Sequence, residues 1–109
     1  MLRLLDYNGS IIMIDLKNNN INSDGAYIIS RILEVNKNLL SLDLKWNEIG
    51  GKGAEMILEG LEKNTLLKNL DLSCNKIPEE MIAEVSRILT RNRRYYRDFT
   101  FQKKYSKEK

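Results

Sequence analysis

The chain has 109 residues, 42% of them hydrophobic and 30% charged, with a net charge of +3. A chain of this length forms one domain and hides about two thirds of its unfolded surface, and no apolar run approaches the roughly 20 residues of a bilayer span. Cys74 is the one cysteine and histidine is absent, which excludes disulfide-stapled miniproteins, zinc modules and histidine-based catalytic triads.

One fragment occurs three times: Ile11-Ile-Met-Ile-Asp-Leu-Lys-Asn-Asn19, Leu39-Leu-Ser-Leu-Asp-Leu-Lys-Trp-Asn47 and Leu67-Lys-Asn-Leu-Asp-Leu-Ser-Cys-Asn75, offset by 28 residues both times. The same offset links Ile21, Ile49 and Ile77, then Leu33, Leu61 and Leu89, then Asn36, Asn64 and Asn92. Carried back one period, Met1 aligns with Ile29, Leu5 with Leu33 and Asn8 with Asn36. Residues 1–10 are therefore expected to be part of a repeat helix with no strand of its own. Met1 to Asp6 lacks the apolar core of a signal peptide, so the expected location is inside the cell. Ile11 to Leu16 is then expected as an open edge strand, either stacked on another protein or continuing a longer array, because repeat arrays need about three units and polar caps.

Within each unit the period switches. Ile14 and Leu16, Leu42 and Leu44, and Leu70 and Leu72 alternate with polar residues, as one face of a short strand does. Asn19, Asn47 and Asn75 follow where the chain turns, and an amide there satisfies backbone groups that the turn leaves unpaired. The apolar spacing then becomes helical, through Ala26, Ile29 and Leu33, through Ala54, Ile57 and Leu61, and through Ile82, Val85 and Leu89. Ser23 and Asp24 are expected to cap the first helix, Gly50 and Gly51 to turn into the second, and Pro78-Glu79-Glu80 to open the third. Gly50 to Gly53 lacks the spacing of a phosphate-binding loop and reads as a repeat turn. A fourth unit would need leucines at 95, 98 and 100, where the chain has Tyr95, Asp98 and Thr100. The organisation expected is three repeats over 11–92 and an aromatic, basic cap and tail over 93–109. Both a helix, through Leu89, Asn92, Tyr96 and Phe99, and a strand, through Phe99 and Phe101, fit that tail.

The pattern Leu-x-x-Leu-x-Leu-x-x-Asn-x-Ile, followed by Gly-Ala and a helix at a period of 28, resembles the ribonuclease-inhibitor-like class of leucine-rich repeats. The resemblance implies an α/β fold, a short solenoid forming a horseshoe segment, with parallel strands on its concave face and helices on its convex face. Leu42-Asp-Leu-Lys-Trp-Asn47, with Asn75-Lys-Ile-Pro78 and Arg91-Asn-Arg93, looks most like centrosomal and ciliary leucine-rich-repeat proteins.

Outward strand positions stack about 5 Å apart. They form the columns Met13, Ser41 and Asn69; Asp15, Asp43 and Asp71; Lys17, Lys45 and Ser73; and, at the turn, Asn18, Trp46 and Cys74. Three aspartates at that spacing repel by about 1 kcal/mol per neighbouring pair in water-like surroundings. Lys17 and Lys45 offset this, which leaves Asp71 expected as the least compensated. The column reads either as an acidic stripe for a basic partner or as a solvated ladder of local pairs. Trp46 reads either as an interface anchor or as a ring lying over its neighbours. The concave partner-binding set is Asp15, Lys17, Ser41, Asp43, Lys45, Trp46, Asn69, Asp71 and Ser73, and Cys74 is a plain thiol.

Charge divides unevenly. Residues 1–86 carry nine Lys and Arg against 13 Asp and Glu, a net of −4, whereas 87–109 carry nine against two, a net of +7. Arg91, Arg93, Arg94, Arg97, Lys103 and Lys104, interleaved with Tyr95, Tyr96, Phe99, Phe101 and Tyr105, suit an acidic surface or nucleic acid, while the aromatics alone suit a cap on the last repeat. The expected function is a non-enzymatic protein–protein interaction module or scaffold in a larger assembly, cytoplasmic and, from the resemblance, cytoskeletal at the centrosome or cilium. The alternatives are a regulatory array of the GTPase-activating or NOD-like-receptor sensor type and weak nucleic-acid binding through the tail. No cofactor, metal or small-molecule substrate is expected.

Overall fold

The computed structural model describes residues 11–106, with side chains as far as Tyr95; the helix expected over 1–10 lies outside the described residues. Three strands and three helices alternate: β1 (Met13–Asp15), α1 (Ser23–Val35), β2 (Ser41–Asp43), α2 (Gly50–Glu62), β3 (Asn69–Asp71) and α3 (Glu79–Ser106). The strands pair in parallel in the order β1-β2-β3. Their register is Met13 to Ser41 to Asn69, Ile14 to Leu42 to Leu70, and Asp15 to Asp43 to Asp71. Each step is one sequence period, because parallel neighbours need a crossover and the helix of each unit supplies it. The fold is a small mixed α/β unit with helices packed on one face of the sheet.

Leu33, Leu39, Leu44, Ile49, Ile57, Leu61, Leu67 and Ile88 are fully buried between the layers. Two asparagine ladders stitch the units together. Asn47 Oδ1 accepts from the backbone of Asn19 (2.8 Å) and Ile21 (2.9 Å), and Asn75 Oδ1 accepts from Ile49 (3.1 Å). Asn75 Nδ2 donates to Leu44 O (2.8 Å) and Leu72 O (3.1 Å). At the other end of the helices Asn64 Nδ2 reaches Leu33 O (3.0 Å) while its Oδ1 accepts from Leu66 and Leu67. These amides do for the turns what a ladder does for a strand, and they cross from one unit to the next.

Helix starts differ in part from expectation. Asn22, in an extended conformation, caps α1 by accepting from Asp24 N (3.0 Å) and Gly25 N (3.2 Å). Ser23 and Asp24 are the first two helical residues, and Asp24 contributes its charge to the helix dipole and not a cap. Gly50 opens α2 with a φ of +69°, a conformation that favours glycine. Its N–H goes to Asn75 O (2.9 Å), so the third unit satisfies the start of the second unit's helix. At α3 the Pro78 carbonyl accepts from Met81 (3.0 Å) and Ile82 (3.2 Å).

Two features of the helices set the geometry. A Cβ on Gly60 would stand 2.3 Å from the Ser30 carbonyl oxygen, so α1 and α2 approach more closely there than any side chain permits. α3 continues as helix where α1 and α2 stop, past Asn92 to Ser106. Asn92 is buried, and its Oδ1 accepts from the Arg91 guanidinium (3.0 Å) and not from a following turn.

Candidate functional site

The face of the sheet away from the helices is open, and its side chains stand in the columns that the period requires. Every aspartate of the middle column accepts the backbone N–H two residues ahead: Asp15 from Lys17, Asp43 from Lys45 and Asp71 from Ser73, each at 3.0 Å. This local turn holds the carboxylates in place as the chain leaves the strand.

Their outer partners differ. Lys17 Nζ pairs with Asp15 at 2.7 Å. Lys45 Nζ does not fold back on Asp43 but crosses to Asp71, at 3.7 Å, and Ser73 Oγ donates to the same Asp71 at 2.5 Å. The Ser73 hydroxyl and amide, with Lys45, hold the Asp71 carboxyl below the ordinary carboxylate range, and the hydrogen bonds from Lys17 do the same for Asp15. The expectation that Asp71 is the least compensated is therefore corrected. Asp43 is the aspartate of this column without a cation partner among the described residues, because a lysine side chain is long enough to span to the next unit while serine serves its own.

Trp46 ends β2's run and stands 59% exposed. Its φ is +62°, matching +60° at Asn18 and +61° at Cys74 in the same column. The repeat turn imposes this left-handed conformation on all three positions. Asparagine tolerates it, whereas a bulky side chain there costs roughly 1–2 kcal/mol. Trp46 thus carries both backbone strain and an exposed indole, and neither contributes to the core.

α3 supplies one wall that the strand pattern could not reveal. Arg93 reaches Asn69 Oδ1 at 3.2 Å, and a polar cavity of about 510 Å³ lies among Ser41, Asp43, Asn69, Asp71, Thr90 and Arg93. Arg93 stands there because α3 runs on where the other helices end, and Thr90, at the repeat position of Glu34 and Glu62, comes beside the sheet with it. Lys68 donates to Leu66 O, and burial followed by the Arg93 charge lowers its pKa.

The basic residues separate into different environments. Arg91 turns inward, donating to Asn64 O (2.6 Å) and Glu62 O (3.1 Å), with its guanidinium 5.5 Å from the Tyr95 ring centre. It caps the carbonyl end of α2. Arg93 joins the sheet face and Arg94 is exposed, while the side chains of Arg97, Lys103 and Lys104 lie outside the described residues. Cys74 is an exposed free thiol. Among the described residues no cluster of His, Cys, Asp and Glu is arranged to hold a metal ion, and no helix is long and apolar enough to cross a membrane.

Residues 35–58 and 63–77 match the family model described as Leucine Rich repeat. The fold is similar to that of the solved structure titled "Leiomodin-1 Actin-Binding Site 2 (ABS2)", with a TM-score of 0.71 and 22% sequence identity. That similarity covers 95% of this chain and 76% of the other. No curated protein matches the chain.

Proposed function

We propose that this leucine-rich-repeat chain is a non-enzymatic interaction module of the cytoskeleton, binding a protein partner on the open, concave face of its strand array. The observation that carries the reading is Trp46. An indole held in a strained conformation at the rim of that face, 59% exposed, is poor design for stability and the expected chemistry of a binding anchor. Around it lie the paired Asp15 and Lys17, Asp43, the Lys45 bridge to Asp71, Ser41, Asn69 and Ser73, a rim of polar and charged side chains of the kind that surrounds an anchor. Asp43 is the carboxylate available to a basic side chain of the partner.

The cytoskeletal setting is supported by the fold likeness to a structure whose title names an actin-binding site, and filamentous actin is the first partner to test. Co-sedimentation of the full chain with actin filaments, run beside Trp46→Ala and Asp43→Asn, tests the reading. Binding that Trp46→Ala weakens by at least about tenfold supports it. Binding unchanged in both variants removes the open face from consideration. Chain that stays in the supernatant removes actin, and cross-links from Lys17 and Lys45 in cell extract then identify the partner.

A further inference from the structure

The third unit ends in a face that the first two units use fully. In unit one, the N–H groups of Leu16, Asn18 and Ile21 are taken up by Asp43 O (2.8 Å), Lys45 O (2.9 Å) and Asn47 Oδ1 (2.9 Å) of unit two. In unit two, Leu44, Trp46 and Ile49 give theirs to Asp71 O (2.9 Å), Ser73 O (3.1 Å) and Asn75 Oδ1 (3.1 Å) of unit three. The equivalents in unit three are Leu72, Cys74 and Ile77, and among the described residues their N–H groups meet no acceptor. Beside them runs a groove of about 610 Å³ between the β3 edge and α3, with Leu70, Leu72, Ile77, Ile82, Val85 and Leu89 along it. Leu70 and Ile77 are half-buried, whereas their unit-two counterparts Leu42 and Ile49 are 4% and 2% exposed.

We infer that this face is a second binding site, which takes an extended strand of a partner protein added parallel to β3. Its chemistry is set by the unit-to-unit interface that it continues. The incoming segment presents two carbonyl oxygens two residues apart to Leu72 and Cys74, an asparagine two residues further on to Ile77, and apolar side chains at alternate positions toward the groove. Strand addition of this kind draws affinity from the main chain and selectivity from the alternating side chains, and an open edge is the surface on which it occurs. Ala83, exposed on α3, lies on the groove wall. Cys74, exposed at the edge, places a natural reporter inside the site.

The test uses the whole chain and a peptide copying residues 67–77, with Cys74→Ser in the peptide, since unit three is what occupies the same face of unit two. The peptide is expected to shift the backbone amide resonances of Leu72, Cys74 and Ile77 and to slow alkylation of Cys74. Asn75→Ala in the peptide is expected to weaken binding by about tenfold, as the loss of one buried hydrogen bond with its desolvated partner does. Ala83→Glu in the chain blocks the groove, while Trp46→Ala leaves peptide binding unchanged and so separates this site from the open sheet face. Three results overturn the inference: amides of Leu72, Cys74 and Ile77 that do not move at saturating peptide, shifts confined to the Asp15 to Asp71 face, or a chain that occupies the edge with its own second copy, seen as end-to-end oligomers protecting the same amides. The amide map needs no variant, so a poorly folded Ala83→Glu does not weaken the test.

Discussion

Asn19, Asn47 and Asn75 are equivalent in the repeat, yet their loss is expected to cost very different amounts. Asn75 is 1% exposed. Truncation to alanine removes the acceptor for Ile49 N–H, a buried donor with no alternative, and the donor to Leu72 O and Ser73 O. Leu44 O keeps a partner, because Asn47 Nδ2 also reaches it at 2.9 Å. An orphaned buried donor costs about 1–3 kcal/mol and each lost net hydrogen bond about 1 kcal/mol, so Asn75→Ala should lose about 3 kcal/mol. Asn47→Ala orphans the less buried Asn19 and Ile21 N–H groups and should lose about 2 kcal/mol. Asn19 is exposed, with its Nδ2 on Leu16 O and Lys17 O, and its loss should stay below about 1 kcal/mol. Urea unfolding followed by the emission of Trp46, the single tryptophan, measures all three. For a domain this small, about 3 kcal/mol lowers the melting temperature by more than about 12 °C. Equal destabilisation by Asn75→Ala and Asn19→Ala would refute the assignment of the ladder as the inter-unit tie.

Gly60→Ala drives a methyl group against the Ser30 carbonyl, and calorimetry should find it destabilised by about 1–3 kcal/mol although alanine is the better helix former. Trp46→Asn relieves the left-handed strain and should hold or raise stability by up to about 1 kcal/mol while abolishing partner binding; a large loss of stability would mean that the indole packs. Asp15 and Asp71 have native pKa values below those of the unfolded chain. Their stabilisation is therefore complete above the unfolded carboxylate value of about 3.9 and lost as pH falls through the lower native values. Carboxyl-carbon NMR titration should place both midpoints below about 3.9, and Ser73→Ala should move the Asp71 midpoint upward while leaving that of Asp15 in place.

The sequence by itself determined the period, and the period determined the register of β1, β2 and β3, the inward face of Leu42 and Leu44, and the asparagines at the turns. One repeated face must meet its own copy 28 residues later, so nothing beyond the chain order was needed. Tertiary structure decided whatever depends on which neighbour a flexible or shared group chooses. Lys45 spans to Asp71 and leaves Asp43 without a cation, a choice made by distance between units and not by sequence spacing. Asn22, and not the adjacent Ser23 or Asp24, caps α1 because the extended residue before a helix is fixed by the preceding turn. Arg91 reads as part of a basic tail in sequence but lies on the carbonyls of α2, and Arg93 comes to Asn69, because α3 continues as helix where its two predecessors end. The left-handed backbone at Trp46 was equally hidden, since the turn that imposes it is a three-dimensional closure, with Asp43 accepting from the Lys45 N–H and Asn47 donating to Leu44 O and Lys45 O.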